Sequence, residues 1–143
     1  MTILFDRNNL GEDVFNIAFP TERQVVVAKL LVKRMKENGG SMGKTEMSLF
    51  ATRLHEGTLV DDTSPPSPFK KETPRISYNK RQFYDRILTP MRSMGMIDYD
   101  LYKKIYILSD NFNKLMIKIG LLWLRELRAS DKLDNETGRR WLR

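Results

Sequence analysis

Residues 78–82 (Tyr-Asn-Lys-Arg-Gln) are a run of hydrogen-bonding side chains whose types suit the recognition of nucleic-acid bases. Asparagine and glutamine can pair with the edge of adenine and arginine with that of guanine, whereas lysine mostly contacts phosphate. Tyr84 and Arg86 lie close behind, on the exposed face of the same predicted helix. We therefore expect seven residues to contact the major groove of duplex DNA: Tyr78, Asn79, Lys80, Arg81, Gln82, Tyr84 and Arg86.

The segment around this run, residues 77–108, has the pattern of a helix followed by a hairpin. Its apolar residues recur every three or four positions and so share one helix face: Phe83, Ile87, Met91 and Met94. Gly95 is the expected helix end, and two short apolar runs, 96–99 and 104–108, predict strands that flank a turn. A helix with an adjacent hairpin is a known DNA-reading arrangement, and Lys103 and Lys104 at the turn would contact the phosphate backbone.

Positive charge is concentrated on the same segment. The chain of 143 residues has a formal net charge of +7, and residues 70–92 hold 7 basic and 2 acidic side chains, a net of +5. A focused basic patch is typical of polyanion binding. A solvated surface that keeps the protein dispersed explains the charge equally well.

Several function classes find no support in the residue types. The chain has no cysteine and one histidine, His55, which excludes thiolate zinc sites and leaves too few ligands for a histidine site. No paired carboxylates or nucleophile–base set is apparent, so we expect no enzyme activity, no cofactor and no metal. Without an apolar run of membrane length or a secretory signal, we expect no membrane association and a cytoplasmic, nucleoid-associated protein.

The Gly-Lys-Thr at residues 43–45 resembles the end of a phosphate-binding loop. That motif requires a glycine five positions before the Gly-Lys pair, and Asn38 stands there. The motif should also follow a buried strand, whereas this segment follows an amphipathic helix. We interpret it as a connector that leads into a helix capped by Thr45.

The remaining pattern predicts three parts. Residues 1–20 form an arm with a short helix that ends at Pro20. Residues 21–109 form the main domain, with helices at 21–38 and 45–55, and with a flexible insertion at 58–76 that is rich in proline, serine and threonine. Residues 110–143 form a long helix, roughly 110–129, and a basic tail.

The last helix is apolar on two sides. A wide stripe contains Phe112, Leu115, Met116, Ile119, Leu122 and Trp123, and a second stripe contains Ile117, Leu121 and Leu124. A helix that is apolar on two sides must bury both. We expect the domain to cover the wide stripe and a second copy to cover Ile117, Leu121 and Leu124, giving a homodimer. Burial against residues 1–20 of the same chain is the alternative.

The order helix, connector, helix, basic helix, hairpin, long helix resembles the winged helix-turn-helix fold of MarR- and PadR-like transcription regulators. The likeness is carried by Met94-Gly95-Met96-Ile97, where those families commonly have Leu-Gly-Leu-Ile, and by Tyr106-Ile107-Leu108-Ser109, where they have Tyr-x-Leu-Thr. It covers about residues 21–128. The resemblance implies a mainly α fold with a small β-hairpin wing and a dimerising C-terminal helix.

Our first hypothesis is a homodimer that binds specific double-stranded DNA sequences in transcriptional regulation, reading half-sites about one helical turn apart. The alternatives are a winged-helix adaptor that binds an acidic protein, and a replication or partition factor of a plasmid or virus. The residues do not indicate the DNA sequence or a small-molecule effector.

Overall fold

The computed structural model describes residues 6–8, 10–11, 13–60 and 75–137; at residue 60 and at 130–137 the description covers the backbone alone. The fold is mostly helical, with a small three-stranded antiparallel sheet and a long C-terminal helix. Its helices before the insertion are α1 (Val14–Ala18), α2 (Glu22–Glu37) and α3 (Lys44–Glu56). The later helices are α4 (Lys80–Phe83), α5 (Thr89–Ser93) and α6 (Asn111–Thr137).

The predicted helix at 21–38 is confirmed as α2. Thr21 caps it, because its hydroxyl accepts a hydrogen bond from the backbone N–H of Gln24 at 3.2 Å. The helix buries more than one face, and its fully buried residues include Val27, Leu30 and Leu31. The arm also forms its short helix, α1, which is held to α2 by the ion pair between Asp13 and Lys29.

Helix α3 begins one residue earlier than predicted. Gly43 is its N-cap, without a side-chain hydrogen bond, so the predicted capping role of Thr45 is wrong. The preceding strand β1 (Ser41–Gly43) belongs to the sheet, which explains the early start. The apolar face of α3 is buried as expected, with Phe50 and Leu54 in the core.

The insertion is structured at its two ends. Strands β2 (Leu59–Val60) and β3 (Arg75–Ile76) pair antiparallel, with Leu59 opposite Ile76. The side chains of both these residues are buried, so the description of residues 58–76 as a single flexible loop is wrong at the ends. Residues 61–74 lie outside the described residues. The two strands bring the ends of the insertion together beside α3 and α4.

The predicted helix before Gly95 is a composite of three segments, which we call the composite helix (residues 80–93). A π-helical segment, Tyr84–Leu88, joins α4 to α5 without a break. The backbone N–H of Thr89 donates to the carbonyl of Tyr84, five residues earlier. Pro90 has no N–H to donate and its ring would crowd a regular α-helical turn. The wider π turn just before it accommodates the proline without ending the helix.

The hairpin is confirmed, and a third strand completes it. Strands β4 (Ile97–Asp100) and β5 (Ile105–Leu108) pair antiparallel, and β1 pairs with the free edge of β5, giving the order β1-β5-β4. One face of the sheet packs on the core. Ile97 and Leu108 lie opposite each other on that face, as do Tyr99 and Tyr106.

Helix α6 starts at the place where the composite helix ends. Gly95 has φ +85°, and its carbonyl accepts a hydrogen bond from the backbone N–H of Phe112 at 2.9 Å. The Asn111 side chain donates to Asp98 on β4 at 2.9 Å, which fixes the first turn of α6 to the sheet.

Beyond its first turn, α6 extends away from the rest of the described residues. The domain was expected to cover the wide apolar stripe, and this expectation is wrong: Ile119, Leu122 and Trp123 are 54%, 49% and 63% exposed. The second stripe is exposed as well. The described part of the arm covers neither, because α1 packs against α2 instead.

We predict that Gly95→Ala strongly destabilises the fold. A Cβ atom there would lie 2.8 Å from the backbone nitrogen of Phe112 and 2.9 Å from the carbonyl carbon of Asn111. Gly57→Ala is the matched control, because Gly57 also has positive φ (+72°) but its Cβ would meet only ordinary contacts with Ser77.

In urea unfolding, Gly57→Ala should cost about 1 kcal/mol for the backbone conformation alone. Gly95→Ala should cost about 3 kcal/mol or more, since backbone must also move. Equal losses for the two variants would show that α6 does not depend on the close approach.

Candidate nucleic-acid interface

The composite helix has one buried and one exposed face. Phe83, Ile87, Leu88 and Met91 point into the core. The exposed face consists of Arg81, Gln82, Asp85, Arg86, Thr89, Arg92 and Ser93. It therefore carries three arginines and one acidic residue. The basic, amphipathic character predicted from the sequence is confirmed, because the apolar residues are buried and all three arginines are exposed.

Arg81, one of the residues predicted to contact DNA, is highly exposed and forms an ion pair at the surface. Its side chain is 92% exposed, and its Nε lies 3.8 Å from Oδ2 of Asp85, which is itself 67% exposed. An ion pair in such an exposed setting contributes little to stability. The guanidinium can therefore leave Asp85 at small cost and bind a phosphate or a base edge.

Asn79 and Gln82 are connected at the start of α4. The side-chain oxygen of Asn79 accepts a hydrogen bond from the backbone N–H of Gln82 at 3.1 Å, which makes Asn79 the N-cap. Both residues are exposed. The amide nitrogen of Asn79 and the whole side chain of Gln82 can still face a ligand, but the capping bond holds the oxygen of Asn79 against the helix.

Lys80 is directed at α3 rather than at the exposed face. Its ammonium nitrogen lies 3.0 Å from the hydroxyl oxygen of Thr52 and 3.5 Å from that of Ser48. Its backbone N–H donates to Nδ1 of His55 at 3.2 Å. Lys80 and His55 thus join α3 to the start of α4, a role that the sequence pattern did not indicate.

The two tyrosines among the predicted contacts lie largely inside the protein. Tyr78 is only 5% exposed, and the guanidinium carbon of Arg23 lies 5.6 Å from the centre of its ring. Tyr84 is partly buried, edge-on to Phe83 with 5.5 Å between ring centres. Tyr78 is therefore not part of the exposed surface, and Tyr84 can contribute to it only with its outer edge.

The hairpin turn is a well-ordered, exposed projection. The side chain of Asp100 accepts hydrogen bonds from the backbone N–H groups of Tyr102 at 2.9 Å and Lys103 at 3.1 Å. Lys104 adopts φ +56°, and its carbonyl accepts from the backbone N–H of Lys44 at the start of α3. Lys44, Lys103 and Lys104 are all exposed, so this turn and the start of α3 present three lysines together.

Arg92 connects the composite helix to the hairpin. Its guanidinium carbon lies 5.3 Å from the ring centre of Tyr99 and 5.9 Å from that of Tyr106, in cation–π contact with both. Burial raises the pKa of the Tyr106 hydroxyl, and the positive charge of Arg92 acts in the opposite direction. This contact could not be predicted from the sequence, because it depends on strand register.

The described residues contain no group of three or more acidic or histidine residues that could hold a metal ion. None of the helices within the described ranges is long and apolar enough to cross a membrane. Comparison of the chain with protein families, curated proteins and solved structures found no match. Function must therefore be argued from the exposed arginines, the lysines at the hairpin turn and the uncovered surface of α6.

We predict that Lys80 and Arg81 differ in their effects on stability, although they are neighbours. Lys80→Met should lower the free energy of unfolding by about 1 kcal/mol, because the hydroxyl oxygens of Ser48 and Thr52 lose the ammonium group that donates to them. Arg81→Met is the matched control and should change it by less than about 0.5 kcal/mol, since its side chain is exposed. Urea unfolding measures both. Indistinguishable midpoints would mean that Lys80 does not join α3 to α4.

Proposed function

We propose that this protein binds specific sequences of double-stranded DNA as a homodimer and acts in transcriptional regulation. The observation that carries the proposal is the exposed face of the composite helix, on which Arg81, Arg86 and Arg92 accompany Gln82. An exposed helix with these side chains fits the width of the major groove, where arginine and glutamine can distinguish guanine and adenine.

The three-stranded sheet supports a winged type of fold. Its order, β1-β5-β4, places the hairpin at the end of the composite helix, and Arg92 contacts both hairpin strands. We propose that Lys103 and Lys104 contact the phosphate backbone while the composite helix lies in the groove. Lys44 joins them in this role, because its backbone is bonded to the same turn.

We further propose that α6 forms the dimer interface, with Ile117, Leu121 and Leu124 among the contacts. These three residues are 63%, 59% and 41% exposed, which is unusual for large apolar side chains next to each other on one helix. Apolar patches of this kind on a single protein mark protein–protein contact surfaces.

We predict that Arg81→Ala weakens binding to a DNA duplex that the wild type selects from a random library. A bidentate contact with a base is worth roughly 1–3 kcal/mol, or about 5- to 150-fold in affinity. Lys118→Ala is the control, because it also removes one positive charge but lies on α6, away from the composite helix. Fluorescence anisotropy measures both affinities, and an unchanged affinity for Arg81→Ala would remove this residue from the recognition surface.

Salt dependence separates this function from that of a protein-binding adaptor. Binding through several phosphates should lose orders of magnitude in affinity between about 50 and 200 mM salt, with a linear dependence of log K on log salt. Lys103→Ala with Lys104→Ala should reduce that slope by roughly 2 if each lysine neutralises a phosphate. Failure of the wild type to bind any duplex at the lowest salt would contradict DNA binding and favour the adaptor.

We predict that Leu121→Asp with Leu124→Asp converts a dimer into monomers, because carboxylates buried at the interface would lose their hydration. The control variant is Lys118→Asp, which adds an acidic residue outside the stripe of Ile117, Leu121 and Leu124 and should leave the dimer intact. Light scattering at several concentrations gives the molar mass of each variant. Dimers that persist in the leucine variant would place the interface elsewhere.

A further inference from the structure

Helix α6 presents one wide apolar surface, which joins the two stripes expected from the sequence and adds Leu127. The exposed large apolar residues of this helix are Leu115, Met116, Ile117, Ile119, Leu121, Leu122, Trp123, Leu124 and Leu127. At about 100° per residue, the middle of this surface runs along Met116, Gly120, Trp123 and Leu127, which are spaced by four, three and four positions. The narrow opposite side carries Lys114, Lys118 and Arg125, while Glu126 and Arg128 lie toward the two edges of the apolar surface. A partner centred on the apolar line would leave Lys114, Lys118 and Arg125 in solvent.

Gly120 lies in the middle of that line without an evident role inside the monomer. Its φ is not positive, and a Cβ atom there would meet nothing within 4 Å. Glycine weakens the interior of a helix relative to alanine, so the monomer would be better served by another residue. A glycine at the centre of an exposed apolar face instead leaves room for a bulky side chain from outside.

The residue that best fits this space is Trp123 of a second copy in antiparallel orientation. When Gly120 of one helix faces Trp123 of the other, Met116 faces Leu127, and both pairs occur twice by symmetry. At the central pair the large indole ring then lies over the smallest residue, as close packing favours. A parallel pair in register would place Trp123 against Trp123 and Gly120 against Gly120. The two tryptophan rings would then clash, and a cavity would be left between the two glycines.

We propose that α6 pairs with α6 of a second copy in antiparallel orientation, with Trp123 of each copy packed over Gly120 of the other. The proposal rests on the homodimer of the proposed function and revises its interface. The centre of the contact moves from Leu121 to the line through Gly120 and Trp123, with Ile117 and Leu124 beside that line. Nine large apolar side chains of α6 are 40% to 63% exposed, so the apolar surface it offers is of the order that a stable interface takes from each partner, roughly 800 Å².

Single-cysteine variants test the orientation directly, because the chain has no cysteine of its own. Met116→Cys and Leu127→Cys proteins, purified separately, mixed and mildly oxidised, should form a disulfide-linked heterodimer. Neither variant should link to itself. In the antiparallel pair the two copies of the same cysteine are 11 positions apart along the helices, a distance of about 16 Å, which is well over the ~7 Å limit for a disulfide. Lys118→Cys, on the polar side, measures background linking. Self-linking of each variant, or no linking above background, overturns the proposal.

Gly120→Leu tests the space above the glycine. The variant should fold, because its side chain points into open space in the monomer, and it should weaken dimerisation by roughly tenfold or more in sedimentation equilibrium. Gly120→Ala should have a smaller effect in the same direction. Unchanged or tighter dimerisation by Gly120→Leu overturns the proposal.

A lipid surface is the other partner that a basic, apolar helix with a tryptophan could fit, and it makes the opposite prediction. Gly120→Leu would then increase co-sedimentation with vesicles of phosphatidylcholine and phosphatidylserine, and this result overturns the proposal. The wild-type dimer should leave these vesicles unbound. All three experiments are performed without DNA, so a failure of DNA binding leaves their results intact. A monomeric protein that still binds DNA overturns the pairing and the homodimer but leaves DNA binding standing.

Discussion

The close approach of Gly95 to the first turn of α6 determines how the composite helix, the sheet and α6 are arranged relative to one another. The backbone of Gly95 ends the composite helix, leads into β4 and accepts a hydrogen bond from Phe112. Any side chain at this position would occupy the space of the Asn111–Phe112 backbone. The direction of α6 relative to the composite helix therefore depends on a contact between backbones. Such a contact is more rigid than one between long side chains, which can change rotamer.

The exposed surfaces are as informative as the buried ones. The core holds one face of the composite helix through Phe83, Ile87 and Met91 and leaves the arginines of the other face in solvent. Those arginines are not committed to structural roles of the kind that Lys80 has, with the partial exception of Arg92 on its two tyrosines. Charge that is kept at the surface, ordered and weakly paired is available to a polyanion.

Helices with a clear apolar period and a local end signal could be predicted from the sequence. The spacing of Phe83, Ile87 and Met91 predicted the composite helix, and Gly95 with the two apolar runs after it predicted the hairpin. What could not be predicted depends on contacts between distant residues. The pairing of Leu59 with Ile76, the burial of Tyr78 and the attachment of Lys80 to Thr52 have no periodic signal. For that reason the predicted contact surface contained one residue that is buried and one that faces α3.

The dimensions of the proposed dimer can be compared with those of DNA. If Gly120 faces Trp123 in an antiparallel pair, the first residues of the two α6 helices lie about 31 Å apart along the pair, at 1.5 Å per residue. One turn of B-DNA spans roughly 34 Å. Because Gly95 fixes each composite helix to the first turn of its own α6, the pairing register of α6 also sets the distance between the two recognition surfaces. A shift of the pairing by one heptad on each helix, 14 residues in total, would change the distance between the two surfaces by about 21 Å. In the proposed assembly, the residues that pair at Gly120 therefore determine the spacing of the DNA half-sites that the dimer can bind.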